Sequence, residues 1–337
     1  MKELDRWDYD LPPDQIALYP PEERVQSRLM LVGAEYCNDH RFVDLPSLLR
    51  PGDLLVANNT RVMAARLFAH RQTGGRIQLL LLETGEGRLK AMAQPMRRLV
   101  DGEALNLVGG GQVRIWRRHD ALVDLEFDDD PTEVMSRQGE VPLPPYLRRQ
   151  AEPIDSQRYQ TVYAGPLGAA AAPTAGLHFT HQLIEKLKSV NIGFETITLH
   201  VGLGTFRPLT PENLAQQTLH EEAFHISAAT AEAIGRTHEC GGQVIAVGTT
   251  TTRALEAATP LGKSLPIVGS ATTKLFIRPP YDFRCIDGLI TNFHLPRSSL
   301  LMLVGSLIGR QRLLEAYTLA VERKYRFYSY GDAMLLL

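Results

Sequence analysis

Cysteine is scarce in this chain: Cys37, Cys240 and Cys285 are the only three in 337 residues, and no Cys-x-x-Cys spacing or neighbouring His pair accompanies them. A disulfide framework, a structural zinc site or any other metal is therefore not expected, and a reducing cytoplasm is the natural setting. Neither charge sign dominates, since 36 Lys and Arg stand against 38 Asp and Glu for a formal net charge of -2. That balance excludes a uniformly basic chain but leaves room for a local basic patch. Long hydrophobic runs are also missing: the longest, Leu300 to Val304 with Gly305-Ser306-Leu307-Ile308 behind it, is too short for a bilayer. The first residues, Met1-Lys2-Glu3-Leu4-Asp5-Arg6, put charge where a signal peptide needs an apolar core. No low-complexity tract or internal repeat is present.

What is present is the composition of a soluble globular protein, 44% apolar and 22% charged, in a chain long enough for two domains. Asp53-Leu54-Leu55-Val56-Ala57 reads as a buried strand that delivers Asn58-Asn59-Thr60-Arg61 at its carboxyl end. From about Arg66 to Glu140, short apolar segments alternate with Gly and Asp punctuation, at 77–82, 89–93, 104–108, 113–116 and 122–127. That spacing predicts a small all-β barrel. Val141-Pro142-Leu143-Pro144-Pro145-Tyr146 is an extended link, and Arg158 to Tyr163 resumes a strand-like alternation. From Phe194 onward, strands alternate with helices, which argues for an α/β layered domain with a largely parallel sheet. The expected architecture is thus a discontinuous three-layer α/β domain, residues 1–61 and 155–337, interrupted by an antiparallel barrel, residues 62–154.

Four presumed strand ends carry unusual polar content. Pro173-Thr174-Ala175-Gly176-Leu177-His178-Phe179-Thr180 opens into a helix with Thr180 as its N-cap. A second strand ends in His200-Val201-Gly202-Leu203-Gly204-Thr205-Phe206, a third in Gly248-Thr249-Thr250-Thr251-Thr252-Arg253, and a fourth in Thr291-Asn292-Phe293-His294. In open α/β sheets the carboxyl ends of strands are where ligands gather, so these four are expected to share one cleft. The third suits a carboxylate or phosphate at a helix N-terminus, but it has no P-loop Lys, which disfavours a nucleoside triphosphate.

These blocks, together with Tyr9-Asp10-Leu11-Pro12, Ser27-Arg28-Leu29, Asn59-Thr60-Arg61-Val62, Arg158-Tyr159-Gln160-Thr161-Val162-Tyr163-Ala164 and Tyr328-Ser329-Tyr330-Gly331-Asp332-Ala333-Met334, carry a resemblance. Almost end to end, the chain resembles the S-adenosylmethionine:tRNA ribosyltransferase-isomerase (QueA) family of queuosine biosynthesis. The resemblance implies a discontinuous α/β domain with an inserted barrel. It also implies transfer of the ribosyl part of S-adenosylmethionine to 7-aminomethyl-7-deazaguanine (preQ1) at the tRNA wobble position, giving epoxyqueuosine with release of adenine and methionine. S-adenosylmethionine is then a co-substrate, with no permanently bound cofactor, and the partner is tRNA. A monomer is expected, a dimer remaining compatible. The chain departs from the family pattern at Asn59, where Asp is usual, at Thr252, where an apolar residue is common, and after Gly165.

A sulfonium acidifies the adjacent ribose C5′ hydrogens, and a base poised near neutral pH is needed to remove one. His178, His200 and His294 are the candidates, with Glu222 as the carboxylate alternative. For S-adenosylmethionine the expected contacts are Thr174, Gly176 and Phe179 from the first block, and Gly202, Gly204, Thr205 and Phe206 from the second. Thr249, Thr250 and Arg253 are expected to take the methionine carboxylate, the Arg by a two-point contact. On the acceptor side, Asn59, Arg61 and Asn292 are expected at the base, Tyr330 and Asp332 to close the site, and Arg97, Arg98, Arg148 and Arg149 to meet phosphates. Two other readings predict different products: a methyltransferase would leave S-adenosylhomocysteine, and a non-catalytic tRNA-binding protein would release no adenine.

Overall fold

The computed structural model describes residues 2–82, 87–119, 122–202 and 209–337. Its larger part is a nine-stranded sheet in the order Gly269–Leu275, Thr218–Ile226, Gly193–Leu199, Leu54–Asn58, Val244–Val247, Gly288–Asn292, Ala333–Leu336, Arg28–Val32, Cys37–Arg41. The four central strands, Gly193–Leu199 through Gly288–Asn292, run parallel, so their carboxyl ends lie on one side. Outward from them the pairing turns antiparallel at Thr218–Ile226 and at Ala333–Leu336. The central strands are apolar on both faces, and their alternation divides them between two cores. Leu54, Val56, Val244 and Ala246 pack with Leu255, Leu301 and Tyr317 from helices on one face. Leu55, Ala57, Ile245 and Val247 pack with Leu183, Ile184 and Leu187 of helix His181–Ser189 on the other. Three layers result.

The smaller part is a closed antiparallel barrel of six strands, Arg66–Arg71, Arg76–Leu81, Arg88–Gln94, Ala104–Leu107, Gln112–Arg118 and Val123–Phe127. Inward-facing residues such as Leu67, Leu79, Ala91, Leu105, Ile115 and Leu125 fill it, and Val134 and Met135 of helix Pro131–Gln138 pack against them. Asp130 caps that helix by accepting from the Thr132 and Glu133 amides. Five of the six strands match the apolar segments in the sequence; Arg66–Arg71, with two Arg at its ends, lacks that signal.

One expected strand is absent. Residues 159–166 form turns, preceded by helix Pro153–Arg158. The alternation there has another cause. Tyr159 is buried, and the Gln160 amide stands in for a strand partner, accepting from the Val62 amide at 2.9 Å and donating to its carbonyl at 3.2 Å.

Candidate functional site

A cavity of about 350 Å³ opens at the carboxyl ends of the central strands. Three chain turns build its walls. Strand Val244–Val247 ends at Gly248, whose φ of 93° turns the chain directly into helix Thr249–Ala258 and brings Thr249 and Thr250 to the cavity. Strand Gly288–Asn292 delivers Asn292, Phe293 and His294. The 3-10 turn Thr174–His178 contributes Thr174 and Ala175. Thr180 then caps the following helix by accepting from the Leu183 amide at 3.1 Å, as its sequence position predicts.

The four candidate bases end up in different environments. His294 lies on the cavity wall, with Nε2 2.8 Å from Thr291 Oγ1 and no partner for Nδ1 among the described residues. The residue as a whole is half-buried, and desolvation by the atoms packed around the ring lowers its pKa to about 3. His178 is buried behind the wall, between Ser27 Oγ at 2.8 Å and Asn292 Nδ2 at 3.2 Å. Burial, with Arg24 and Arg326 adding to it, lowers its pKa to about 3. His200 bonds Thr60 Oγ1 at 2.8 Å outside the cavity lining, and desolvation lowers its pKa. Glu222 is buried in an ion pair with Arg253 and accepts from the Gly202 amide at 3.3 Å.

That ion pair also alters what Arg253 can do. Its Nη1 faces Glu222 and its Nε donates to the Leu275 carbonyl at 3.1 Å, and the buried Nη2 has no partner among the described residues. Phe179 is fully buried edge-on to Phe42 and Phe194, in the core beneath helix His181–Ser189, and presents no face to a ligand. Gly176 lies against Tyr163, where a Cβ would sit 2.1 Å from the phenol oxygen, so its smallness serves packing. Gly204, Thr205 and Phe206 lie outside the described residues.

On the acceptor side, Asn292 lines the cavity but Asn59 does not. The Asn59 amide bridges Thr196 Oγ1 at 3.2 Å and Thr198 Oγ1 at 2.7 Å. Arg61 clamps the carbonyls of Ala164 and Gly165. Asp332 accepts from the Arg28 and Arg326 amides, and Tyr330 donates to Asp155 at 2.6 Å. Arg149 forms a two-point pair with the same Asp155, whereas Arg97, Arg98 and Arg148 are exposed with no side-chain partner among the described residues.

Residues without an expected role also reach the site. Tyr146, Tyr159, Tyr328 and Ser329 line one side, and the hydroxyl of Tyr328 is buried without a partner among the described residues. Tyr328 has a φ of 73°, costly for a bulky side chain, and its ring lies 4.4 Å from that of Tyr146. Asn58, fully buried, donates to Thr250 Oγ1 at 3.3 Å. Tyr146, Tyr159, Tyr328 and Ser329 all lie in the quoted sequence blocks, but alternation gives no sign of which side chains face a cavity.

A parallel-centred α/β sheet, an apolar and hydroxyl-lined cavity at its strand ends, and a separate barrel together define an α/β enzyme with its ligand site at the sheet edge. The chain belongs to the queuosine biosynthesis protein family, whose sequence profile matches residues 4–336. It is 48% identical to an S-adenosylmethionine:tRNA ribosyltransferase-isomerase of Azoarcus sp. (strain BH72), over 99% of this chain and 97% of that one. To the protein of the same name from Gloeobacter violaceus it is also 48% identical, over 99% and 95%. Among solved structures, an S-adenosylmethionine tRNA ribosyltransferase from Thermotoga maritima superposes with a TM-score of 0.56 at 35% identity, covering 98% of this chain and 100% of that one.

Proposed function

We propose that the protein is an S-adenosylmethionine:tRNA ribosyltransferase-isomerase and that the 350 Å³ cavity is its reaction chamber. It moves and isomerises the ribosyl group of S-adenosylmethionine onto preQ1 at the tRNA wobble position, giving epoxyqueuosine-tRNA and releasing adenine and methionine. Full-length identity to proteins of that name supports the activity. It works in the cytoplasm, where its tRNA is; among the described residues no helix is long and apolar enough to cross a membrane. No group of three or more metal-ligating side chains occurs among them either.

His294 is the base. The observation that carries this assignment is positional: of the four candidates, His294 is the one on the cavity wall with a ring nitrogen unclaimed. With Nε2–H donating to Thr291, Nδ1 offers its lone pair to the ribose C5′ hydrogen. The electron pair of that C–H bond opens the furanose at C4′–O4′, and the resulting oxyanion expels adenine to leave an aldehyde at C1′. Desolvation, which lowers the His294 pKa to about 3, keeps Nδ1 unprotonated at neutral pH but makes it a weaker base than an unshifted imidazole; the imidazolium it forms is correspondingly a strong acid toward the departing adenine.

Thr249 and Thr250 receive the methionine carboxylate at the helix N-terminus, where unsatisfied N–H groups favour an anion. Because Asn58 already donates to Thr250 Oγ1, the Thr250 hydroxyl hydrogen is left for the ligand. Residues 1–61 and 155–337 form the catalytic part, and 62–154 the part that meets tRNA through Arg97, Arg98 and Arg148. The location of all six barrel strands between Arg66 and Phe127, with every sheet strand outside that range, supports this division.

Adenine release from S-adenosylmethionine on preQ1-tRNA tests the base. His294→Gln is expected to lower turnover about 100-fold or more while S-adenosylmethionine still binds. Wild-type turnover in that variant would remove His294 from the mechanism.

A further inference from the structure

Behind the cavity wall runs a chain of hydrogen bonds whose direction can be worked out. Ser27 Oγ donates to the Arg24 carbonyl at 2.9 Å, and a carbonyl only accepts. Its single hydrogen spent, Ser27 must accept from His178 Nδ1–H at 2.8 Å. A neutral His178 protonated at Nδ1 has a bare Nε2, which accepts from Asn292 Nδ2 at 3.2 Å. The other end of the chain agrees independently. Asn292 Nδ2 also faces the Asp332 carbonyl at 3.4 Å, and the reversed amide would set oxygen against oxygen there. With both amide hydrogens directed inward, Asn292 Oδ1 accepts from Thr174 Oγ1 at 2.8 Å. Thr174 has therefore spent its hydrogen, and what it turns toward the cavity is lone pairs.

We infer that Ser27 and His178 are positioning residues that set the Thr174 and Asn292 wall to accept and never donate hydrogen bonds, making it the subsite for a substrate amino group. The wall around Thr250 has the opposite polarity, since Asn58 leaves that hydroxyl as a donor beside the N-terminus of helix Thr249–Ala258. One cavity thus separates an anion-seeking side from an amine-seeking side. A ligand presenting a carbonyl or hydroxyl-free acceptor to Thr174 meets lone pair against lone pair, and desolvated acceptors facing each other are strongly disfavoured. The identity of the amino group as part of S-adenosylmethionine or its acceptor rests on the proposed function; the direction of the relay does not.

Two measurements separate these. Nitrogen-15 NMR of the ligand-free protein reads the His178 tautomer: Nδ1 protonated and Nε2 bare is expected, unchanged from about pH 5 to 8, and the reverse tautomer overturns the relay. Binding is then measured for S-adenosylmethionine, its analogues lacking the α-amino group or carrying a 6-oxo purine, and anticodon stem-loops bearing 7-aminomethyl or 7-methyl deazaguanine. One of the three amine replacements is expected to weaken binding at least tenfold. Thr174→Val should abolish that preference, His178→Gln, which can still accept from Asn292, should keep it, and His178→Leu should lose it. A purely structural role would lower all affinities together and leave the preference intact, which overturns the inference. If no ligand of the series binds, the amino subsite falls along with the functional reading, and the tautomer still decides the relay.

Discussion

His178 and His294 are both held neutral by burial, but of the two only His294 lines the cavity. For His178 the neutral state has a consequence for stability. Its pKa falls from 6.5 in the unfolded chain to about 3 in the folded one, so between those values the unfolded state binds the extra proton. Stability from this site is therefore full above about pH 6.5 and is lost as pH falls toward 3, at roughly 1.4 kcal/mol per pH unit. Urea unfolding at pH 7.5 and 5 should show His178→Gln losing about 2 kcal/mol less than wild type between the two. Equal losses would mean that His178 is not buried neutral. Residue type made His178, His200, His294 and Glu222 equally plausible bases from sequence. What separates them is which neighbour each ring nitrogen or carboxylate meets: Ser27, Thr60, Thr291 and Arg253. Those partners lie in distant parts of the chain for His178 and His200, where no local pattern reaches.

Helix Thr249–Ala258 depends on one backbone position. Gly248 combines φ 93° with ψ 153°, a region essentially reserved for glycine, and so turns a buried strand into a helix with no linking loop. A Cβ there would meet only ordinary contacts with Ala175 at 3.6 Å, so the cost of replacing it is conformational. Gly248→Ala is expected to lower the unfolding free energy by about 1–3 kcal/mol and to weaken S-adenosylmethionine binding, measured by denaturant titration and calorimetry. Unchanged values in both would show that the turn relaxes freely. This strand, turn and helix were legible in sequence because Val244 to Val247 is an uninterrupted apolar run followed by Gly and Thr. The strands Thr218–Ile226 and Gly269–Leu275 at one end of the sheet were not, since polar residues dominate both and their pairing supplies the structure.

At the scale of the molecule, electrostatics is a matter of segregation rather than net charge. Residues 62–154 hold 13 Lys and Arg against 13 Asp and Glu, yet their arginines have different fates. Arg149 is held by Asp155 and lies over the Tyr19 ring, fastening the link after the barrel to the catalytic part, while Arg97, Arg98 and Arg148 stay exposed. Replacing these three by Ala is expected to weaken tRNA binding and to flatten the log-log dependence of affinity on salt by roughly 0.7–0.9 per lost phosphate contact. An unchanged slope would place the tRNA on another surface.

The sequence by itself determined the layering, the barrel and the polar ends of three central strands, because apolar periodicity and Gly or Pro punctuation are local consequences of backbone geometry; the Pro173 to Thr180 block, expected at a fourth strand end, is a 3-10 turn instead. It also determined the family, through blocks spread from Tyr9 to Met334. Only the tertiary structure decided which polar side chains face the cavity. Phe179 went to the core, Arg253 to Glu222 and Asn59 to a neighbouring strand, while Asn58, Tyr159 and Tyr328 came to the wall or stood directly behind it. The reason is that a buried polar atom is governed by the partner that satisfies it, and those partners are brought together by sheet order rather than by sequence spacing.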